Sequence, residues 1–302
     1  MTFQALKKYI THLYTTRSDN TNIWINDSGQ AQGRYFNSTL TSVFQAIRSS
    51  SDHRIIGYHG LARSYGNDNG DLSLWRLLDH AANDDESVEL DRLCRLLHAI
   101  NFYRQVQSAD QNLYLNVHAR LLAAVEGNHG AAFRRILNTL ELPHQHIVLE
   151  LPAIVKNQGW MLNHIAENYQ RNGFRLAINV SSTEQGLELL KRRHFDTIRI
   201  DSNTVQDIAS LKKLLHAAKT AKTKLIFKRV ETNTTCQLLS QLTTNNQEEF
   251  FMAGFLFDWP TALLPLHDQT GRRSKFQLMQ TSSDAFAQNL TKTQRAGQVS
   301  GR

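Results

Sequence analysis

The feature that most limits how this chain can fold is a repeated alternation of short β-type runs with amphipathic helical stripes from residue 41 onward. Eight runs are rich in β-branched and aromatic residues: 42–47, 54–62, 112–117, 146–151, 174–180, 196–200, 224–230 and 251–257. The stripes between them repeat apolar residues three or four positions apart, as in Leu93, Leu96, Leu97 and Ile100. Strands that alternate with helices predict a mostly parallel sheet.

The number and spacing of these runs favour a closed barrel. Eight strands within about 220 residues fit a barrel better than an open, doubly wound sheet. The first two runs are joined only by the short turn at 48–53, whereas a parallel pair needs a crossover of about a dozen residues. We therefore predict an α/β fold, namely a TIM-like (β/α)8 barrel whose first strand is antiparallel to its neighbours.

The chain divides into three segments around this barrel. Residues 1–40 read as an accessory segment with a helical stripe of Phe3, Leu6, Ile10 and Leu13 and a hairpin in 22–36. We predict that this helix docks on the barrel. Residues 41–265 form the barrel, and 266–302 are interpreted as a polar, basic and flexible tail.

Composition and charge exclude several classes of protein. With 41% hydrophobic residues the chain is not wholly disordered, and no run approaches the roughly 20 apolar residues of a membrane span. The apolar residues at the N-terminus are interrupted by Lys7 and Lys8, unlike a secretory signal. We therefore expect a cytoplasmic protein that does not bind membranes. The net charge of +7 is concentrated in the tail, where 267–302 holds six Lys or Arg and two Asp. It does not predict a nucleic-acid-binding protein.

Polar residues are predicted at the carboxyl ends of six strands, where barrel enzymes carry out their chemistry. They are His59 with Arg63, Asn116, Glu150, Asn179, Asp201, and Lys228 with Glu231. Strand ends in barrels are polar in any case, so this set alone names no reaction.

The segments that carry these residues resemble the EAL domain, a family of barrel phosphodiesterases that act on cyclic di-GMP in bacteria. The similar segments, in the family's order, include Phe44-Gln45-Ala46-Ile47, Ile56-Gly57-Tyr58-His59-Gly60-Leu61-Ala62-Arg63, Leu149-Glu150-Leu151, Ile198-Arg199-Ile200-Asp201 and Val230-Glu231-Thr232. The resemblance spans residues 40–265 and implies the same barrel.

The departures from the family pattern bear on activity. The resemblance implies hydrolysis with two divalent cations, which need carboxylate ligands. The family's name-giving glutamate is His59 here, and its consecutive aspartates are Asn179 and Val180. A family lysine is Arg199, and a family glutamate is Lys228. Of the metal ligands only Asn116 and Glu150 match, while Asp201 and Glu231 remain as flanking carboxylates.

The leading hypothesis is therefore a catalytically inactive EAL-type domain, with no metal or other cofactor, that regulates bacterial signalling by binding a protein partner. Its vestigial positions are His59, Asn116, Glu150, Asn179, Arg199, Asp201, Lys228 and Glu231. A pair of hard cations would meet too little negative charge at these positions.

Two alternatives stay open. One is a metal-independent sensor of cyclic di-GMP or another anionic nucleotide, with Leu61, Arg63, Asn116, Glu150, Arg199 and Lys228 as ligand-binding candidates. A protonatable His59 would add positive charge to that site. The competing structural interpretation is that Lys228 forms an ion pair with Glu150 or Asp201 and binds no ligand. The other is a residual cyclic di-GMP phosphodiesterase. The resemblance also leaves a homodimer open.

Overall fold

The computed structural model describes residues 3–15, 22–66, 71–72, 84–106, 110–118, 128–153, 159–204, 207–242 and 249–265. The tail predicted at 266–302 lies outside these described residues. No helix among them is both long and apolar enough to cross a membrane.

Strands and helices alternate along the chain after an N-terminal helix and a short antiparallel sheet. The strands are β1 (Ile23–Ile25), β2 (Ala31–Tyr35), β3 (Ser38–Ser49), β4 (Ile55–Gly66), β5 (Asp71–Leu72), β6 (Asn112–Asn116), β7 (Ile147–Leu151), β8 (Arg175–Val180), β9 (Thr197–Asp201), β10 (Lys224–Lys228) and β11 (Phe251–Ala253). The helices are α1 (Gln4–Thr15), α2 (Asp84–Tyr103), α3 (His129–Thr139), α4 (Gly159–Arg171), α5 (Thr183–Arg192), α6 (Ile208–Thr220) and α7 (Asn233–Ser240).

Eight of the strands close into a barrel, as predicted. Their order is β3-β11-β10-β9-β8-β7-β6-β4, and pairing of β3 with β4 closes the ring. The neighbours from β4 through β6 to β11 are parallel, whereas β3 is antiparallel to both β4 and β11. The reversed first strand follows from the short turn after it, which is too short for a crossover.

The pair β3–β4 is longer than predicted, since each strand has 12 residues. The extra residues, 38–41 and 63–66, pair with each other beyond the barrel. Strand β2 pairs with β3, β1 with β2, and β5 with β4. The hairpin predicted in 22–36 is confirmed as β1 and β2. Its turn contains Gly29 with φ +75°, a conformation that glycine adopts without steric cost.

Local capping fixes where several helices begin and end. The side chain of Ser182 accepts a hydrogen bond from the amide of Gln185 before α5, and Thr232 caps α7 in the same way. Gly173, with φ +80°, follows the end of α4, where a helix-terminating glycine is expected.

The apolar core has two layers. A large cluster lies between the strands and the outer helices, whereas a smaller one fills the barrel interior: Ile47, Tyr114, Val148, Ala177, Ile226, Phe251 and Ala253. Helix α1 joins the outer cluster through the buried side chains of Leu6 and Leu13. The Phe3 ring packs edge-on against Tyr103 of α2 at 5.4 Å between centroids. The predicted docking of the N-terminal helix on the barrel is therefore confirmed.

Candidate functional site

Polar side chains meet inside the barrel at the carboxyl ends of its strands, and we call this set the mouth. Successive side chains of a strand point to opposite faces of the sheet, so residues two positions beyond the interior cluster also face inward. Strands β4, β6, β7, β8, β9 and β10 each supply one member: His59, Asn116, Glu150, Asn179, Arg199 and Lys228. The structure thus brings together six of the predicted positions.

Glu150 is the centre of the mouth. Its side chain is only 3% exposed and forms an ion pair with Arg199, which is only 2% exposed. Oε1 of Glu150 accepts a hydrogen bond from Nδ2 of Asn179 at 2.7 Å. Oε2, which receives Arg199, also lies 3.4 Å from Nε2 of His59. Both oxygens of the buried carboxylate are therefore engaged by the protein itself.

Asn179 connects Glu150 to the remaining cation. Besides Glu150, its Nδ2 donates to the carbonyl of Leu151 at 3.0 Å, which fixes the orientation of the amide. Its Oδ1 accepts a hydrogen bond from Nζ of Lys228 at 2.7 Å. Lys228 is thereby bonded to a neutral amide.

The predicted ion pair of Lys228 with Glu150 or Asp201 is not the one that forms. Glu150 pairs with Arg199, and Asp201 pairs with Arg229 at 3.1 Å between Nη1 and Oδ2. The role of Arg229 could not be predicted from the sequence. Nothing in the residue spacing shows that Arg229 contacts Asp201 on the preceding strand and that Lys228 does not.

Burial and the Arg199 charge set the protonation of the mouth. Burial lowers the pKa of His59 to about 4, and the positive charge of Arg199 acts in the same direction. With this lowered pKa the His59 ring is neutral near pH 7 and adds no positive charge there, and its Nε2 lies 3.2 Å from Oδ1 of Asn116. Burial raises the pKa of Glu150, but the charge of Arg199, the Asn179 hydrogen bond and the charge of Lys228 outweigh it, so the net shift is downward.

The other predicted site residues lie around the mouth. Arg63 is four positions beyond His59 on β4, where its Nη1 donates to the carbonyl of Ala62 at 3.2 Å. Leu61 lies between them, and Glu231 is exposed after β10. Within the part of the chain that the structure describes, these three residues form no hydrogen bond or ion pair with Glu150, Arg199, Asn179 or Lys228.

The donor atoms of the mouth differ from those that hard cations prefer. Val180 is buried and offers no ligand atom, and His59 and Asn179 stand where the resemblance puts carboxylates. Within the described ranges, no three His, Cys, Asp or Glu side chains gather as a metal-binding group. Glu150 is the single acidic member of the mouth, and Arg199 balances its charge.

The fold agrees with the comparison with known families. The EAL domain model matches residues 17–253, which is most of the chain. This chain belongs to the EAL domain family. No curated protein sequence matches it significantly.

Solved structures share the fold at low identity. The Bacillus subtilis YkuI protein, with an EAL domain, in complex with substrate c-di-GMP and calcium, has a TM-score of 0.62 and 19% identity; the match covers 82% of this chain and 61% of that one. Klebsiella pneumoniae BlrP1, in a manganese and cyclic di-GMP complex, has a TM-score of 0.61 and 17% identity over 74% of this chain and 56% of its own. The PaMucR phosphodiesterase in complex with c-di-GMP has a TM-score of 0.58 and 19% identity over 74% and 92%. The aligned region is thus about three fifths of the length of the first two structures.

Proposed function

We propose that this EAL domain does not hydrolyse cyclic di-GMP and regulates bacterial signalling from the cytoplasm by binding a protein partner. One observation carries the proposal: both oxygens of Glu150, the buried carboxylate of the mouth, are already engaged by Arg199, His59 and Asn179.

A two-metal mechanism is hard to reconcile with this arrangement. Two divalent ions need several anionic oxygens to offset the cost of losing water and their mutual repulsion. Here the only acidic group of the mouth is neutralised by Arg199, and Lys228 adds a further positive charge. A metal ion reaching Glu150 would have to displace a buried guanidinium, which would then lack its counter-ion.

The catalytic part of the proposal is tested with purified protein and cyclic di-GMP in the presence of Mg²⁺ or Mn²⁺. We expect no linear product from the wild type, while an active EAL phosphodiesterase assayed in parallel supplies the positive control. Asn116→Ala provides the internal control, because Asn116 matches a family metal ligand and is exposed. Hydrolysis by the wild type that disappears in Asn116→Ala would show a residual phosphodiesterase instead.

The regulatory part is tested in cells that lack the gene. We expect the Asn116→Ala protein to restore the wild-type phenotype fully, because a partner-binding domain does not depend on a ligand position of the mouth. Cellular cyclic di-GMP should be equal in cells carrying either protein. Failure of Asn116→Ala to complement, at equal protein level, would argue against a role independent of this position.

A second candidate function is a metal-independent sensor of cyclic di-GMP or another anionic nucleotide. The observation that favours it is that Lys228 is bonded to the neutral Asn179 amide, so its charge is available to a phosphate. Calorimetry without divalent cations distinguishes the two candidates. Heat of binding in the wild type that is lost in Lys228→Met but kept in Lys213→Met, an exposed lysine of α6, would support the sensor.

A further inference from the structure

The amino-terminal end of the barrel interior, opposite the mouth, holds a second polar layer that we call the floor. Asn112, Arg175 and Lys224 begin β6, β8 and β10. Each is four positions before a mouth residue on the same strand, so its side chain points to the same interior face. The apolar cluster around Tyr114 and Ile226 lies between the two polar layers.

Arg175 is held by a neutral group at the floor. It donates a hydrogen bond to Oδ1 of Asn112. The Asn112 amide is fixed in turn, because its Nδ2 donates to the carbonyl of Ile56 at 3.1 Å. The Nε atom of Arg175 is buried and has no hydrogen-bond partner among the described residues. Since buried donors are nearly always satisfied, this atom calls for an acceptor.

Lys224 lies at the floor together with Arg175. Among the described residues, neither of the two forms an ion pair with a carboxylate. Its Nζ lies 5.7 Å from the centroid of the Phe251 ring. Burial lowers the pKa of Lys224, and the neighbouring charge of Arg175 lowers it further. The two cations therefore lie on the same interior face, near enough for the charge of Arg175 to act on Lys224.

The described acidic groups whose charges act on Lys224 are Glu249 and Asp196, and both accept hydrogen bonds from other groups. Glu249 accepts hydrogen bonds from Nη2 of Arg54 at 3.0 Å and from the hydroxyl of Ser49 at 2.6 Å. Asp196 accepts the backbone amide of Leu176 at 2.8 Å. These contacts leave the charges of Arg175 and Lys224 without a bonded counter-ion among the described residues.

We propose that Arg175 and Lys224 form a binding site for a phosphate group at the floor of the barrel. The planar guanidinium offers several donors in a fork that suits phosphate oxygens, and the ammonium adds a point charge. A phosphate oxygen would accept hydrogen bonds from the Arg175 guanidinium and relieve the repulsion between the two cations. The site is separate from the mouth, so it stands whether or not the mouth binds a nucleotide.

The test is isothermal titration of the full chain with inorganic phosphate at constant ionic strength. We expect one phosphate per chain, with affinity reduced at least tenfold in Arg175→Met and in Lys224→Met. Lys213→Met, which removes an exposed lysine of α6, serves as the matched control and should bind as the wild type does. Parallel titrations with AMP and with acetate distinguish a phosphate monoester from free phosphate and from a carboxylate.

Several outcomes would overturn the site. They are no binding by folded wild-type protein, equal binding by Lys224→Met, or an equal loss in Lys213→Met, which would indicate unspecific attraction. Tighter binding of acetate than of phosphate would also contradict it. If Arg175→Met does not fold, as judged by circular dichroism, the half-buried Lys224 still decides the result.

Discussion

The two ends of the barrel interior differ in the partners of their buried cations. At the mouth, Arg199 is paired with Glu150 and the whole set is linked through the Asn179 amide. At the floor, Arg175 is bonded to the neutral Asn112, and Lys224 lies over the Phe251 ring. At the mouth, Arg199 neutralises the Glu150 carboxylate and Lys228 adds one further cation, whereas the floor has two cations and no bonded carboxylate among the described residues.

The barrel fold alone therefore does not determine which end of its interior can bind an anion. In a barrel with the EAL fold, attention goes first to the mouth. Here its carboxylate is occupied by the chain itself, whereas the two cations at the other end have no bonded carboxylate among the described residues. The following predictions test this contrast through stability and pH dependence.

The largest effect is expected at the mouth. Arg199→Met leaves the buried Glu150 without its cation, and breaking a buried pair costs about 3–5 kcal/mol in the free energy of unfolding. The double variant Glu150→Gln/Arg199→Met should regain much of this loss, because neither charge remains alone. Urea denaturation at pH 7 measures both values. A loss below about 1 kcal/mol in Arg199→Met would mean that the pair is not the centre of the mouth.

The second largest effect is expected from acid, which should lower the free energy of unfolding through protonation of His59 at the mouth. The pKa of His59 is about 4 in the folded chain but about 6.5 in an unfolded one. Between these values the unfolded chain binds more protons, so stability falls as pH decreases from 6.5 towards 4. The expected contribution of His59 is on the order of 3 kcal/mol. The lowered pKa of Glu150 adds a loss only below its unfolded value near 4.5.

His59→Gln isolates the contribution of His59 to the pH dependence of stability, because glutamine keeps a polar side chain beside Asn116 but cannot take up a proton. Urea midpoints measured from pH 7 to 4.5 should fall less steeply in the variant than in the wild type. Equal slopes would contradict a buried, neutral His59.

A smaller effect is expected at the floor. In phosphate-free buffer, Arg175→Met removes a hydrogen bond from a charged donor to Asn112 but also removes its repulsion of Lys224. We expect a loss of about 1 kcal/mol in the free energy of unfolding, well below that of Arg199→Met. A floor variant as damaging as the mouth variant would remove the distinction between the two ends.

The smallest effect concerns metal ions. Because a ligand stabilises a protein only when it binds the folded state, adding Mn²⁺ or EDTA should change the melting temperature by less than about 1 °C. A rise of several degrees with Mn²⁺ that is absent in Asn116→Ala would place an ion at the mouth.

Much of the fold could be predicted because runs of buried apolar residues recur along the sequence at the spacing of strands and helices. All eight barrel strands and the reversed direction of the first follow from apolar periodicity and one short turn. The ends of β3 and β4 could not be predicted, since residues 38–41 and 63–66 are largely polar and are held by pairing with β2, β5 and each other.

The membership of the mouth could be predicted, but its contacts could not. Strand ends give the level of each side chain in the barrel, whereas the partner of each depends on side-chain reach across the interior. Arg199 reaches Glu150 across β8, and Lys228 therefore meets Asn179. The floor was missed because lysine, arginine and asparagine at strand starts look like ordinary solvent-facing residues.

The hydrogen-bonded amide of Asn179 also bears on how such a chain could evolve. An aspartate there would favour Lys228 but place a second anion against Glu150, and a glutamate at Lys228 would face the oxygen that now accepts its proton. A single carboxylate introduced at either position is thus opposed by a neighbouring oxygen. Several replacements at once would be needed to give this mouth more than one stable carboxylate.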